Sequence, residues 1–203
     1  LQAKKITKLL RLAKLRKVKE LLMDIRDMPS KTIPELREVL KKHKLRDKIF
    51  DKQREITEDY RHIIADESTA RKGNFGEMAT DVDMTEHGYK SLHKRIEDIN
   101  ESTHQGIDGI FEKDGVFYIV ESKYTGHAGL SHTLDGRQMS DSWISASEYQ
   151  RVRKSVGDEM TENIIDSGYE RILAEAAPDG TIKYFKLNSD GYKISGRGGI
   201  FNP

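Results

Sequence analysis

The chain has 203 residues, no cysteine, a formal net charge of +1 and a mean hydropathy of -0.72. This composition excludes a disulfide framework and thiolate chemistry, and no apolar run approaches the roughly 18 residues of a membrane span. The neutral total hides an asymmetry: Leu1 to Ala65 hold 19 Lys/Arg against 10 Asp/Glu, leaving 16 against 24 for the remainder, which points to two segments of different use.

Taken in chain order, the first segment reads as helices. Ile6, Leu9, Leu10, Ala13, Leu21, Leu22 and Ile25 recur near helical spacing, with eight Lys/Arg between Lys4 and Lys19. Met28-Pro29-Ser30 ends that helix, because Pro29 lacks a donor and displaces Met28 from helical geometry. A second helix is expected after Thr32, with Pro34 in its first turn, and a third over Asp47 to Ile64. Residues 1–66 therefore form a helical N-terminal segment and 67–203 the main domain. The start at Leu1, without a signal-peptide pattern, reads as a piece of a longer polypeptide.

In the main domain a helix through Phe75, Met78, Ala79 and Val82 should stop at His87-Gly88, and a strand is expected near Tyr89 to Ile96. Two further strands flank Lys113-Asp114-Gly115-Val116, a hairpin turn signal. Helices are expected near Ser140 to Val156 and Thr161 to Asp166. A second hairpin follows, Tyr169 to Ala177 and Thr181 to Leu187, around Pro178-Asp179-Gly180. Ser195 to Pro203, rich in glycine, reads as a loose tail. Helix, three strands, helix and two strands make an α/β domain on a small mixed sheet.

The first hairpin brings chemistry together. If Asp114-Gly115 is a two-residue loop, Lys113 faces Val116, Ile110 faces Ile119 and Asp108 falls opposite Glu121. Facing residues have Cβ atoms about 4.5–5.5 Å apart on one face, and alternation puts Lys123 on that face too. Two adjacent carboxylates repel unless a cation lies between them. The grouping suits Mg²⁺ or Mn²⁺, which accept carboxylates, waters and phosphate oxygens. Glu77, on the preceding helix, is a third carboxylate within reach. Glu121-Ser122-Lys123 is the only Asp/Glu-x-Lys triplet in the chain, and it follows the apolar run Val116 to Val120.

Glu77 within Gly73-Asn74-Phe75-Gly76-Glu77, then Gly106-Ile107-Asp108-Gly109, then Glu121-Ser122-Lys123, resembles the PD-(D/E)xK nuclease superfamily. Arg137-Gln138-Met139-Ser140-Asp141-Ser142-Trp143 is similar to the nuclease domains at the C-termini of bacterial polymorphic toxins, the PoNe group in particular. The resemblance covers roughly Thr69 to Leu187, with Ile107 standing where the family's proline would be. It implies a restriction-endonuclease-like mixed sheet flanked by helices. It also implies Mg²⁺-dependent DNA cleavage with Asp108, Glu121 and Lys123 catalytic, Asp108 and Glu121 as metal ligands, and Glu77 and Gln138 in support. It implies too a larger delivery polypeptide, secretion into the cytoplasm of a rival bacterium, and a cognate immunity protein. Alternatives are a restriction or repair nuclease of the same fold, or a non-catalytic nucleic-acid-binding module.

Other features have plainer readings. Glu77 also suits a solvated first helical turn, and Gln138 suits a brace for the following helix. Trp143, at helical spacing with Ala146, reads as core. His104, His127 and His132 flank the site without the spacing of a metal centre, and fit phosphate contact or a surface loop. The basic stretch Lys4 to Lys19 suits a nucleic-acid backbone, an anionic membrane surface or, foremost, a solvated face. No nucleotide-binding Gly-x-x-x-x-Gly-Lys motif and no Gly-x-Ser-x-Gly turn is present.

Overall fold

The computed structural model describes residues 33–102, 106–125 and 129–203. The basic stretch Lys4 to Lys19, the break at Pro29, His104 and His127 lie outside the described residues. The chain divides into two compact units, Leu1–Phe50 and Asp51–Pro203, and every candidate site residue belongs to the second. The expected second and third helices form one helix, α1 (Ile33–Tyr60). Nothing between Leu40 and Asp47 stops it, since that stretch holds neither proline nor glycine.

The second unit is mixed α/β. Helix α2 (Thr69–Glu86) is capped by Ser68, whose side chain accepts from the Arg71 N–H, and it ends at His87-Gly88 as expected. Strand β1 (Lys90–Ser91) is far shorter than expected. Beyond Ser91 the chain leaves the ladder because His93 and Arg95 turn inward to a buried carboxylate, Asp81. The hairpin β2 (Gly109–Lys113) and β3 (Val116–Tyr124) has the expected register, with Lys113 opposite Val116 and Ile110 opposite Ile119. Asp114 and Gly115 take positive φ, as a two-residue hairpin loop requires.

After β3 come a small hairpin, β4 (His132–Thr133) with β5 (Gly136–Arg137), then α3 (Asp141–Val156), α4 (Asp158–Ser167), β6 (Tyr169–Ala176) and β7 (Ile182–Lys186). The glycine-rich C-terminus is ordered into the sheet. Arg197–Gly199 forms a 3-10 turn and β8 (Ile200–Phe201) pairs with β7. Phe201 anchors it, buried against Tyr89, Tyr118 and Tyr184. The sheet order is β1-β2-β3-β6-β7-β8, antiparallel except for β3 beside β6.

Strand alternation splits the core. Ile110, Phe117, Ile119 and Leu173 pack with Trp143, Ile144, Val152 and Ile164 of α3 and α4. On the other face Phe111, Val120, Ile172 and Ala174 meet Met84 at the end of α2. Glu121 continues the Phe117–Ile119 row, so the sequence that fills the core delivers this carboxylate to its end. Helix α3 is interrupted at Ala146–Tyr149, where Ser147, Glu148 and Tyr149 have φ of 52°, 55° and 62°. Three consecutive left-handed L-residues carry a cost of about 1–2 kcal/mol each.

Candidate active site

Glu121 is buried to 1% exposure in the middle of the sheet's central strand. Its Oε1 accepts from Gln138 Nε2 at 2.6 Å and pairs with Lys123 Nζ, also at 2.6 Å. Its Oε2 is buried and has no hydrogen-bond partner. Asp108 lies one residue before the last ladder pair, Gly109 with Val120, and its Oδ2 accepts from the Ser122 N–H at 2.9 Å. That bond fixes the Asp108 carboxylate on the strand end that carries Glu121 and Lys123.

Helix α2 supplies Glu77 from above the same strand end. Gly76 lies against that strand end: a Cβ there would be in ordinary van der Waals contact, 3.5 Å from the Tyr124 N and 3.7 Å from the Lys123 carbonyl carbon. Asn74 ties the helix to the following loop, donating to the carbonyls of Ile99 and Glu101 at 3.0 and 2.7 Å. Glu77, Asp108, Glu121, Lys123 and Gln138 thus line one open cleft of about 1170 Å³. All five residues expected at the site come together. Gln138 does not cap α3, a role taken by Ser140, whose side chain accepts from the Trp143 N–H. Trp143 is core, 4% exposed, and His132 is exposed on β4.

The electrostatics follow from burial and crowding. Desolvation first, and the Asp108 carboxylate second, push the Glu121 pKa well above the usual carboxylate range, against the pull of Lys123. For Lys123 burial acts downward, but Glu121, then Asp108 and Glu77, more than offset it and raise its pKa. Lys123 thus feels all three carboxylates, and the Asp108 charge acting on the buried Glu121 is repulsion that a metal cation could relieve.

The donor set can be tested against that need. Among the described residues no three His, Cys, Asp or Glu side chains are grouped so that they could hold a metal ion. Mg²⁺ does not require such a group, since one or two carboxylates suffice when water and phosphate complete the shell. The buried, unpartnered Glu121 Oε2 beside Asp108 fits such an open site.

Sequence reasoning missed a second polar cluster beneath the cleft. Asp81, 3% exposed, has His93 Nε2 at 2.9 Å and Arg95 Nε at 3.3 Å, and Gln53 Nε2 donates to it at 2.8 Å. His93 Nδ1 lies 3.0 Å from the Ile110 N and 3.1 Å from its carbonyl oxygen, tying the cluster to β2 two residues after Asp108. Burial alone would raise the Asp81 pKa, but His93 and Arg95 win and lower it. Burial alone would lower His93, but Asp81 raises it. No motif announces residues so far apart in sequence. The cleft's other cations, Lys72, Lys94, Arg151 and Lys154, were equally silent.

Among the described residues no helix is long and apolar enough to cross a membrane. Comparison of the chain with protein-family models, with curated proteins and with solved structures finds no match.

Proposed function

We propose that this chain is a divalent-metal-dependent nuclease of the restriction-endonuclease-like, PD-(D/E)xK type, hydrolysing DNA phosphodiester bonds at the Asp108–Glu121–Lys123 centre. The observation that carries the reading is the Glu121 carboxylate. It is buried within the central strand, with one oxygen held by Gln138 and Lys123 and the other unpartnered, on a cleft it lines with Asp108 and Glu77. Leaving a buried carboxylate oxygen bare costs about 1–3 kcal/mol or more, and a cation bound at that oxygen would recover it.

In this reading Asp108 and Glu121 hold Mg²⁺ or Mn²⁺, which supplies Lewis acidity toward a phosphate oxygen and makes a water more acidic. Lys123, kept charged by its carboxylate neighbours, stabilises the negative charge that builds on the phosphate. Gln138 holds Glu121 in one rotamer, and Ser122 N–H holds Asp108. Cations around the cleft, Lys72, Lys94, Arg151 and Lys154, suit a polyanion, whose affinity rests on phosphate neutralisation.

The resemblance to toxin nuclease domains extends the proposal to an antibacterial effector, delivered within a larger polypeptide and blocked by an immunity protein. Incubation of the purified chain with plasmid DNA decides the chemistry: cleavage in Mg²⁺, none in EDTA, and none with Glu121→Ala in either. Plasmid left intact by the folded wild type in Mg²⁺ and in Mn²⁺ would refute it.

A further inference from the structure

The hairpin β4–β5 ends in Leu134, whose side chain is 108% exposed, the most exposed of the large hydrophobic residues. Lone exposed leucines are ordinary on protein surfaces, but this one stands where a charged cleft needs no apolar group. It lines the same cleft as Asp108, Glu121 and Lys123.

The arm that carries it is built to be stiff. Within the hairpin, Thr133 Oγ1 donates to the Gly136 carbonyl at 2.9 Å and accepts from the Asp135 N–H at 3.2 Å. Asp135, next to Leu134, pairs with Arg151 at 2.6 Å, and Arg151 in turn donates to the Trp143 carbonyl and lies over the indole ring. At the base, Arg137 donates to the Gly191 carbonyl and covers the Tyr192 ring. The next residue is Gln138, which holds Glu121. A rigid two-strand arm thus connects the buried carboxylate directly to a bare leucine.

We propose that Leu134 is a wedge that packs against the nucleobases of duplex DNA beside the phosphate being cut. The inference rests on the nuclease reading above. Among the parts of a nucleic acid, the base faces offer a leucine its largest apolar partner, and apolar side chains inserted between base steps partly unstack them. Cations on the cleft wall, Lys94 and Lys154 among them, hold the backbone while the leucine meets the bases. The substrate class that follows is double-stranded DNA at deformable pyrimidine–purine steps, where unstacking costs least.

The test uses the whole chain and a short duplex with 2-aminopurine at a TA step, bound in EDTA to prevent cleavage, together with plasmid cleavage in Mg²⁺. Wild type should raise 2-aminopurine fluorescence on binding. Leu134→Ala should bind without that rise and cut plasmid at least tenfold more slowly, with an unchanged melting temperature. Leu134→Phe should keep both signals. If Leu134→Ala unstacks and cuts like wild type, the wedge is overturned and the leucine is left to a protein partner. A wild type that unstacks the duplex but never cuts it would refute the nuclease reading and keep the wedge. A wild type that does neither would overturn both.

Discussion

Gln138 Nε2 and Lys123 Nζ converge on a single oxygen of Glu121, each at 2.6 Å. The amide approaches from the β4–β5 arm and the ammonium from the strand itself, so the rotamer of the carboxylate is set from two directions. The other oxygen is thereby turned to the side where neither donor reaches. Gln138→Ala should lower kcat by about 10–100-fold, the usual scale for a residue that orients a metal ligand, with KM for DNA little changed. A second variant reaches the same contact indirectly. A Cβ on Gly191, whose φ is +77°, would meet the Gln138 carbonyl oxygen at 2.6 Å, so Gly191→Ala should also slow cleavage. Steady-state kinetics on plasmid DNA check both.

If Asp108 and Glu121 hold a metal as proposed, the crowded carboxylates should make the fold sensitive to divalent cations. Mg²⁺ that binds only the folded chain adds stability of about 2.7 kcal/mol at a hundredfold excess over its dissociation constant. The wild-type melting temperature should rise with Mg²⁺ in the absence of DNA. Asp108→Asn should raise the melting temperature without metal, by relieving the repulsion on Glu121, and abolish the response to Mg²⁺. A response to Mg²⁺ that survives in Asp108→Asn would remove this residue from the metal site.

The Asp81–His93 pair gives stability a pH profile of definite sign. Asp81 is depressed on folding, so its contribution is complete above the ordinary value of 3.8 and fades as pH falls through the lower folded value. His93 is raised on folding, so its contribution is complete below 6.5 and is lost as pH rises through the higher folded value. The pair therefore stabilises most between these limits. His93→Gln, whose amide can still face Asp81, should flatten the alkaline fall in melting temperature. Asp81→Asn should cost about 3–5 kcal/mol, since it leaves His93 and Arg95 buried without their anion. Thermal melts across pH 4 to 9 measure both.

The left-handed interruption of α3 makes the opposite kind of prediction. Glu148 is exposed with φ of 55°, and Arg153 is held through the Glu148 backbone carbonyl, which any residue supplies. Glu148→Gly should raise stability by about 1 kcal/mol. A drop in the melting temperature would show that the turn depends on the side chain.

Local rules made the centre of the domain readable. Asp114-Gly115 set the hairpin register, which alternates Glu121 and Lys123 onto one face, while the ladder stops at Gly109 with Val120 and Asp108 reaches the strand through the Ser122 N–H instead of a ladder pair with Glu121. His87-Gly88 marked the end of α2 and Ser140 the start of α3 by the same local chemistry. What escaped was decided across the chain. Tyr89 to Ile96 follows a helix end and reads as a strand, yet His93 and Arg95 answer to Asp81, which nothing within that segment reveals. Ile200 and Phe201 sit in a glycine-rich context, and only the aromatic cluster formed by distant tyrosines gives them a strand partner. Leu134 looked like any loop residue because its exposure is a property of the folded arm.

The parallel pairing of β3 with β6 also has a consequence in time. Glu121 lies beside Leu173, and α3 and α4 must be made before that partner exists. Non-local parallel pairings form slowly, and until this one forms β3 is an open sheet edge with its carboxylate in water. The burial that holds the Glu121 proton more tightly is thus among the last properties the chain acquires. A chain halted before Tyr169 would carry every motif residue from Glu77 to Gln138 and still have no working centre.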